Sequence, residues 1–245
     1  MKRTLEWQIA TVMSIRPETA NVKTLTLALP TWTRHRPGQH YDIRLTAQDG
    51  YSAQRSYSIG SEPERTGEID ITVERIRDGE VSSFLDDVVV VGDRFEVRGP
   101  IGGYFVWESS DGGPLLLVAG GSGIVPLMAM VRHRAATRAQ VPTRLLYSSR
   151  SFDDIIYRAE LDGLARRDGL EVFHTLTRAQ PDGWQGFARR IDDRMVAEVN
   201  RPFGATAQVF ICGPTALVET AADAAEAAGI PAERIKTERF GPTGT

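Results

Sequence analysis

The sequence predicts two parts in tandem: an antiparallel six-stranded β-barrel followed by a parallel α/β sheet. Three observations carry this fold class. Apolar and polar residues alternate with period two in short runs over the first 107 residues. The texture changes after Trp107, at the stretch Ser109-Ser110-Asp111-Gly112-Gly113. Beyond it, apolar strand-like runs alternate with helical stretches, as crossover connections between parallel strands require. The expected boundaries are 1–107 for the barrel and 112–245 for the α/β part.

In the first part, strands are expected at 5–15, 21–29, 39–46, 51–59, 68–76 and 93–98. The run VKTLTLAL shows the alternation most clearly. Pro37-Gly38, Asp49-Gly50, Asp78-Gly79 and Gly92-Asp93 supply the turns between them. One short helix is expected near 81–87. Six short strands and one small helix predict a closed or nearly closed barrel.

The second part opens on Leu115-Leu116-Leu117-Val118-Ala119, a run apolar enough for a strand buried on both faces. The turn Gly120-Gly121-Ser122-Gly123 and a helix to about residue 138 follow. A strand at 144–147, a helix at 153–167 and a strand at 170–176 continue the alternation. Next come a helical stretch at 191–199, a strand at 208–211 and a helix at 215–228. Pro214 stands where that last helix begins and Gly229 just past its end, the usual asymmetry of helix termini. A final strand is expected at 234–240.

Composition excludes several classes of function. Hydrophobic residues make up 41% and charged residues 25%, which excludes a disordered chain. Lys and Arg number 29 against 32 Asp and Glu, so no overall basic field exists to hold nucleic acid or an anionic membrane. The longest apolar stretch, 114–130, is broken by glycines, Ser122 and Pro126, which argues against a membrane span. The N-terminal residues lack the apolar core of a secretion signal. Cys212 is the single cysteine, so neither an internal disulfide nor an all-cysteine metal or iron–sulfur site can form. A reducing, cytoplasmic setting fits this. His35, His40, His133 and His174 show no metal-ligand spacing, and no metal is expected.

Four segments carry residue types suited to chemistry. Gly121-Ser122-Gly123 follows an expected buried strand and opens a helix, where backbone amides can approach a pyrophosphate. A tight strand-to-helix turn without a ligand would read the same way, and Pro126 departs from the standard dinucleotide fingerprint. Arg55-Ser56-Tyr57-Ser58 offers a guanidinium for phosphate, an aromatic ring for stacking and a hydroxyl. It is equally an ordinary polar strand end. Gly79-Glu80-Val81-Ser82 precedes the short helix; its amides suit a second phosphate, and Ser82 alternatively caps that helix. Cys212-Gly213-Pro214 ends a parallel strand, where open α/β sheets bind ligands, though a free cysteine is commonly a buried structural thiol.

Taken in order, RSYS at 55–58, DGEVSSFL at 78–85, GPIGGYF at 99–105, LLLVAGGSGIVPLMAM at 115–130, ICGP at 211–214 and ERFGPTG at 238–244 resemble the ferredoxin–NADP(H) reductase superfamily. The resemblance covers nearly the whole chain. It implies a flavin-binding barrel followed by a Rossmann-like pyridine-nucleotide domain. By the resemblance, Arg55 binds the flavin pyrophosphate, Tyr57 packs on the isoalloxazine and Ser58 sits near its N5. Val73, Glu74 and Ile76 run along the ribityl chain and adenine side, and Gly79, Val81 and Ser82 contact FAD phosphate. Gly121, Ser122 and Gly123 face the nicotinamide nucleotide, with Gly213 and Pro214 nearby. Cys212 and Glu238 lie where nicotinamide meets flavin, so Ser58, Cys212 and Glu238 are the expected catalytic residues. Phe240 resembles the family's C-terminal aromatic, but five further residues follow it here, which departs from members ending on a tyrosine.

The implied activity is an FAD-dependent NAD(P)H oxidoreductase that hands single electrons to a separate ferredoxin or oxygenase component. With no cysteine set for a cluster, the family's fused ferredoxin module is expected to be absent. A free flavin reductase and a flavin subunit without nicotinamide chemistry are the alternatives. At the end of the second α/β strand, Ser149 and Arg150 stand where an acidic residue would select NADH, with Arg178 after the next strand. An arginine there suits the 2′-phosphate, so NADPH is expected over NADH.

Overall fold

The structure is a computed structural model and describes residues 5–240. The terminal tail GPTGT, part of the resemblance, lies outside the described residues. Six strands form the first sheet: β1 (Gln8–Thr19), β2 (Val22–Ala28), β3 (His40–Thr46), β4 (Ser52–Ser58), β5 (Glu68–Glu74) and β6 (Arg94–Ile101). All pairings are antiparallel, in the order β4-β3-β6-β1-β2-β5. The two outer strands nearly meet: Ile59 bridges Ile71, and the Gly60 amide donates to the Asp70 carbonyl at 2.8 Å. The expected barrel is therefore present and almost closed.

Alternation fills this barrel. Leu25, Leu27, Ile43, Ile69, Ile71, Val73 and Val97 point inward and are fully or almost fully buried. The short helix α1 (Glu80–Asp87) plugs the barrel with Val81 and Leu85. Its first turn has Gly79 as N-cap and no side-chain cap. Ser82 lies inside the turn, its hydroxyl donating to the Gly79 carbonyl and accepting from the Ile76 amide, so the alternative of a Ser82 cap is not realised. Asp86 and Asp87 at the helix end, where a carboxylate is unfavourable, are met by Lys23 and Arg75.

The second sheet contains β7 (Leu115–Gly120), β8 (Thr143–Ser149), β9 (Leu170–Leu176), β10 (Gln208–Pro214) and β11 (Ile235–Phe240). All are parallel, in the order β11-β10-β7-β8-β9. Helices α2 (Ile124–Ala136) and α3 (Arg158–Arg167) bury one face; α4 (Asp193–Asn200) and α5 (Thr215–Ala227) bury the other. Successive residues of β7 divide between the two cores, Leu115 and Leu117 on one side and Leu116 and Val118 on the other.

Several expected boundaries move. β1 starts at Gln8 rather than 5 and continues through Pro17 to Thr19, because the hairpin with β2 absorbs the proline at an irregularity in register. α3 begins at Arg158, not 153: Tyr157 is left-handed, with φ 60°, and separates a short turn at Phe152–Asp154 from the helix. β10 runs to Pro214, three residues past expectation. The stretch after Trp107 is not a loose connection. Ser109–Asp111 forms a turn closed by a reciprocal Glu108–Asp111 capping box, and the buried Trp107 indole donates to the Gly112 carbonyl.

Polar groups join the two sheets. The Tyr157 hydroxyl hydrogen-bonds Thr72, which bonds Thr24 at 2.8 Å. Arg132 of α2 donates to the Gly60 carbonyl at 2.7 Å, pairs with Glu160 and stacks on Tyr157. Among the described residues no helix is long and apolar enough to cross a membrane, and no His/Cys/Asp/Glu cluster could hold a metal.

Candidate functional site

A groove of about 520 Å³ lies where the two sheets meet. Its barrel wall comes from β4 through Arg55, Ser56, Tyr57 and Ser58, and from β5 through Thr72, Glu74 and Ile76. The turn into α1 adds Asp78, Gly79, Glu80, Val81 and Ser82. The second part contributes Ser122, Val125 and Phe240. One cavity thus gathers residues more than 180 positions apart in sequence, from Arg55 to Phe240.

Strand geometry decides which residues reach it. On β5 the apolar members face the barrel core, so Thr72 and Glu74 face the groove. Val73 is fully buried among the core residues, so its side chain points away from the groove. Tyr57 is half-buried, and burial raises its hydroxyl well above the ordinary value, so it stays a neutral hydrogen-bonding phenol. Ser58 is buried at the deep end. Arg55 is exposed; its one hydrogen bond goes to the Gln54 carbonyl, and it has no ion-pair partner among the described residues. It faces the uncapped first turn of α1, and these two features make a cationic and amide-rich position suited to phosphate.

A second constellation sits at the carboxyl ends of β7, β10 and β11. Strand order reverses between β7 and β10, the place where open α/β sheets leave a crevice. Gly121, Ser122 and Gly123 form a tight turn there, leading into α2. The Tyr147 hydroxyl fixes it by donating to the Gly121 carbonyl at 3.1 Å. A Cβ on Gly123 would lie 2.1 Å from the Cys212 carbonyl oxygen, so backbone meets backbone. Gly213 is similarly closed against Gly120, with backbone atoms from 3.1 Å. Pro214 lies exposed at the end of β10.

Cys212 and Glu238 are register partners on β10 and β11. The thiol is completely buried, and burial followed by the nearby Glu238 charge raises it far above its usual range. It remains a thiol rather than a thiolate. Burial lifts the Glu238 carboxyl to about 7. A carboxyl that titrates near neutrality at a crevice is suited to proton and amide recognition.

The two constellations touch at one bond. Ser122 donates from its hydroxyl to the Glu74 carboxylate at 2.7 Å, linking the nucleotide-type turn to the groove wall. Of the other expected residues, Ser149 is buried with a hydroxyl that has no hydrogen-bond partner among the described residues. Arg150 and Arg178 are exposed and adjacent, the Arg178 amide donating to the Arg150 carbonyl at 2.8 Å. Sequence reasoning missed Thr72, Asp78 and Val125 in the groove, and Tyr147 behind the turn. The phase of β5 points to Thr72, two residues before Glu74; no local pattern points to the rest.

An antiparallel barrel joined to a parallel sheet, with a groove at the seam and a glycine turn at the switch point, is an arrangement suited to binding dinucleotides. Residues 10–106 match the oxidoreductase FAD-binding domain and residues 117–223 the oxidoreductase NAD-binding domain. The chain belongs to the flavoprotein oxidoreductases of ferredoxin reductase type. It is 33% identical over 210 residues to a glycine betaine monooxygenase reductase subunit of Pseudomonas aeruginosa, covering 85% of this chain and 57% of that one. It is 33% identical over 250 residues to the ferredoxin reductase component of a 3-ketosteroid-9-alpha-monooxygenase of Mycobacterium tuberculosis, covering 96% and 65%. The chain thus spans between 57% and 65% of the length of these two curated relatives. Among solved structures, an Amycolatopsis cytochrome P450 reductase superposes with a TM-score of 0.83 at 25% identity, covering 98% of this chain and 72% of that one.

Proposed function

We propose that this chain is the reductase of an electron-transfer system, oxidising NADPH or NADH through FAD and delivering single electrons to a separate ferredoxin-like or oxygenase partner. The observation that carries the reading is the shared groove, in which Ser122 of the glycine turn bonds Glu74 of the flavin-type wall. Bound FAD supplies the conversion of a two-electron hydride donor into a one-electron donor. The protein's share is position and environment.

In this reading Arg55 and the α1 amides with Gly79, Val81 and Ser82 hold phosphate. Tyr57 packs against the flavin ring, Ser58 donates a hydrogen bond at its reactive edge, and Phe240 covers the opposite side. Glu74 and Ile76 flank the chain between ring and phosphate. Gly121, Ser122 and Gly123 take the nicotinamide nucleotide's pyrophosphate. Cys212 and Glu238 receive the nicotinamide, the neutral thiol packing and the carboxyl accepting from an amide. Ser149, Arg150 and Arg178 form the clamp that favours NADPH. We divide the chain into 1–107 and 112–245, and place the protein in a reducing cytoplasm that suits a lone thiol.

The test runs in two stages. Anaerobic mixing with NADPH or NADH should bleach the flavin absorbance; no bleaching with either would remove nicotinamide chemistry from this chain. A panel of ferredoxins and oxygenase components should then reoxidise it. Reoxidation by free flavin alone would instead make the chain a flavin reductase.

A further inference from the structure

Besides the Ser122–Glu74 bond, a second connection runs from the glycine turn to the wall of the groove. It starts at the Gly121 carbonyl, which accepts from the Tyr147 hydroxyl at 3.1 Å. The same hydroxyl accepts from the Ile156 amide at 3.3 Å. The next residue, Tyr157, has φ 60° and ψ 22°, a left-handed backbone that a bulky side chain rarely adopts. Its ring crosses the seam, and its hydroxyl meets Thr72 in the groove wall. The Gly60 backbone, two residues beyond Ser58, lies so close that a Cβ there would stand 3.1 Å from the Tyr157 oxygen.

The hydrogen bonds beyond this point run in one direction. Glu18, paired with Arg16 at 3.0 Å, accepts from the Thr24 hydroxyl at 2.7 Å. Thr24 then has no proton left for Thr72, 2.8 Å away, so Thr72 donates to Thr24. Thr72 in turn accepts from Tyr157. Burial pushes the Tyr157 phenol up to about 12, so the proton it donates is in place at neutral pH. Arg132 stacks 4.8 Å from the ring centroid. Tyr147 and Tyr157 are both buried and neither lines the groove, which leaves them the holding of position.

We propose that Tyr157 is a positioning residue for hydride transfer: its bond to Thr72 sets the flavin-side wall against the glycine turn. The inference rests on the reading that a nicotinamide nucleotide reduces flavin in this groove. In that step the hydrogen of a nicotinamide C4–H bond, with its electron pair, forms an N–H bond at flavin N5; the nicotinamide is oxidised and the flavin reduced. The rate depends steeply on the separation of the reacting atoms, and a misplacement of about 1 Å can cost roughly a hundredfold. Affinity depends on contacts inside each half of the site, and Tyr157 makes none of them.

Tyr157→Phe removes the hydroxyl and keeps the ring, while Thr72 keeps its bond to Thr24. The full chain loaded with FAD is mixed anaerobically with NADPH or NADH over a range of concentrations. The limiting rate of flavin reduction should fall roughly tenfold. The nucleotide dissociation constant and the FAD affinity, titrated separately, should each move by less than about twofold. Thr72→Val breaks the same bond from the other side, so the double variant should be no slower than the slower single variant. Losses that multiply in the double variant would overturn the proposal. So would a lower Tm and FAD occupancy in Tyr157→Phe with the loaded fraction reduced at the wild-type rate, the result expected of a merely structural tyrosine. Wild-type flavin that neither nucleotide bleaches would overturn the underlying reading, and this inference with it; a bleached wild type with an unaffected Tyr157→Phe would overturn this inference alone.

Discussion

Replacing Glu238 by glutamine should change how stability depends on pH. Burial lifts this carboxyl from its ordinary value of 4.5 to about 7 in the fold. A carboxyl held above its unfolded value is bound to its proton more tightly when folded. Its contribution is therefore complete below pH 4.5 and is lost as pH rises, the loss levelling off above about 7. A difference of about 2.5 between the two values corresponds to roughly 3 kcal/mol. Solvent reaches this half-buried side chain, so that figure is a ceiling. Glutamine keeps the shape and cannot ionise. The variant and wild type should therefore differ by a constant at low pH. From pH 4.5 to about 7 the variant should gain up to about 3 kcal/mol on wild type. Urea unfolding of both proteins, flavin-saturated, at closely spaced pH values measures the gap. A gap that stays flat across that range, or that moves in favour of wild type as pH rises, would refute the reasoning.

Ser58→Ala should slow flavin reduction by about ten- to a hundredfold with flavin occupancy unchanged, as expected when one transition-state hydrogen bond is lost. Stopped-flow reduction at the wild-type rate would remove Ser58 from the mechanism. Gly123→Ala puts a methyl 2.1 Å from the Cys212 carbonyl, so the turn must shift; nicotinamide-nucleotide affinity should fall sharply while the flavin spectrum persists. Unchanged affinity in a calorimetric titration would show that this turn is not the nucleotide's seat. Arg150→Ala should shrink a preference for NADPH by roughly 1.5–3 kcal/mol, the range for a hydrogen bond to a charged group, and leave NADH nearly untouched. Equal kcat/KM for both nucleotides in wild type would refute the clamp.

The barrel was legible because its strands bury one face each, and period-two alternation is a local signal. Val22–Ala28, expected at 21–29, shows how far that reaches; in the second sheet the expected and observed spans of Leu170–Leu176 coincide. The same alternation holds Val73 inside the barrel while Glu74 faces out, a distinction that a resemblance spread over the whole strand blurs. The left-handed Tyr157 was not legible, because tyrosine has no residue-type preference for a φ of 60° and its contacts with Thr72 and Arg132 are distant in sequence. Sequence order brought out Arg55, Gly121 and Cys212 as separate segments. That Ser122 meets Glu74 across 48 positions follows only from the packing of one sheet on the other.

That packing also decides how the two halves move. Arg132 is nine-tenths buried, with its guanidinium shared between the Gly60 carbonyl on one side and Glu160 on the other. Pulling the halves apart would take the Gly60 carbonyl from Arg132, which keeps Glu160, and would break the bond between Thr72 and Tyr157. The seam therefore behaves as a weld, and the capped turn beside Trp107 is a strut rather than a hinge. Melting should proceed in one cooperative step. The rim of the site, where Phe240 and the Ser122–Glu74 bond stand, is then the part of the groove that side-chain motion alone can open.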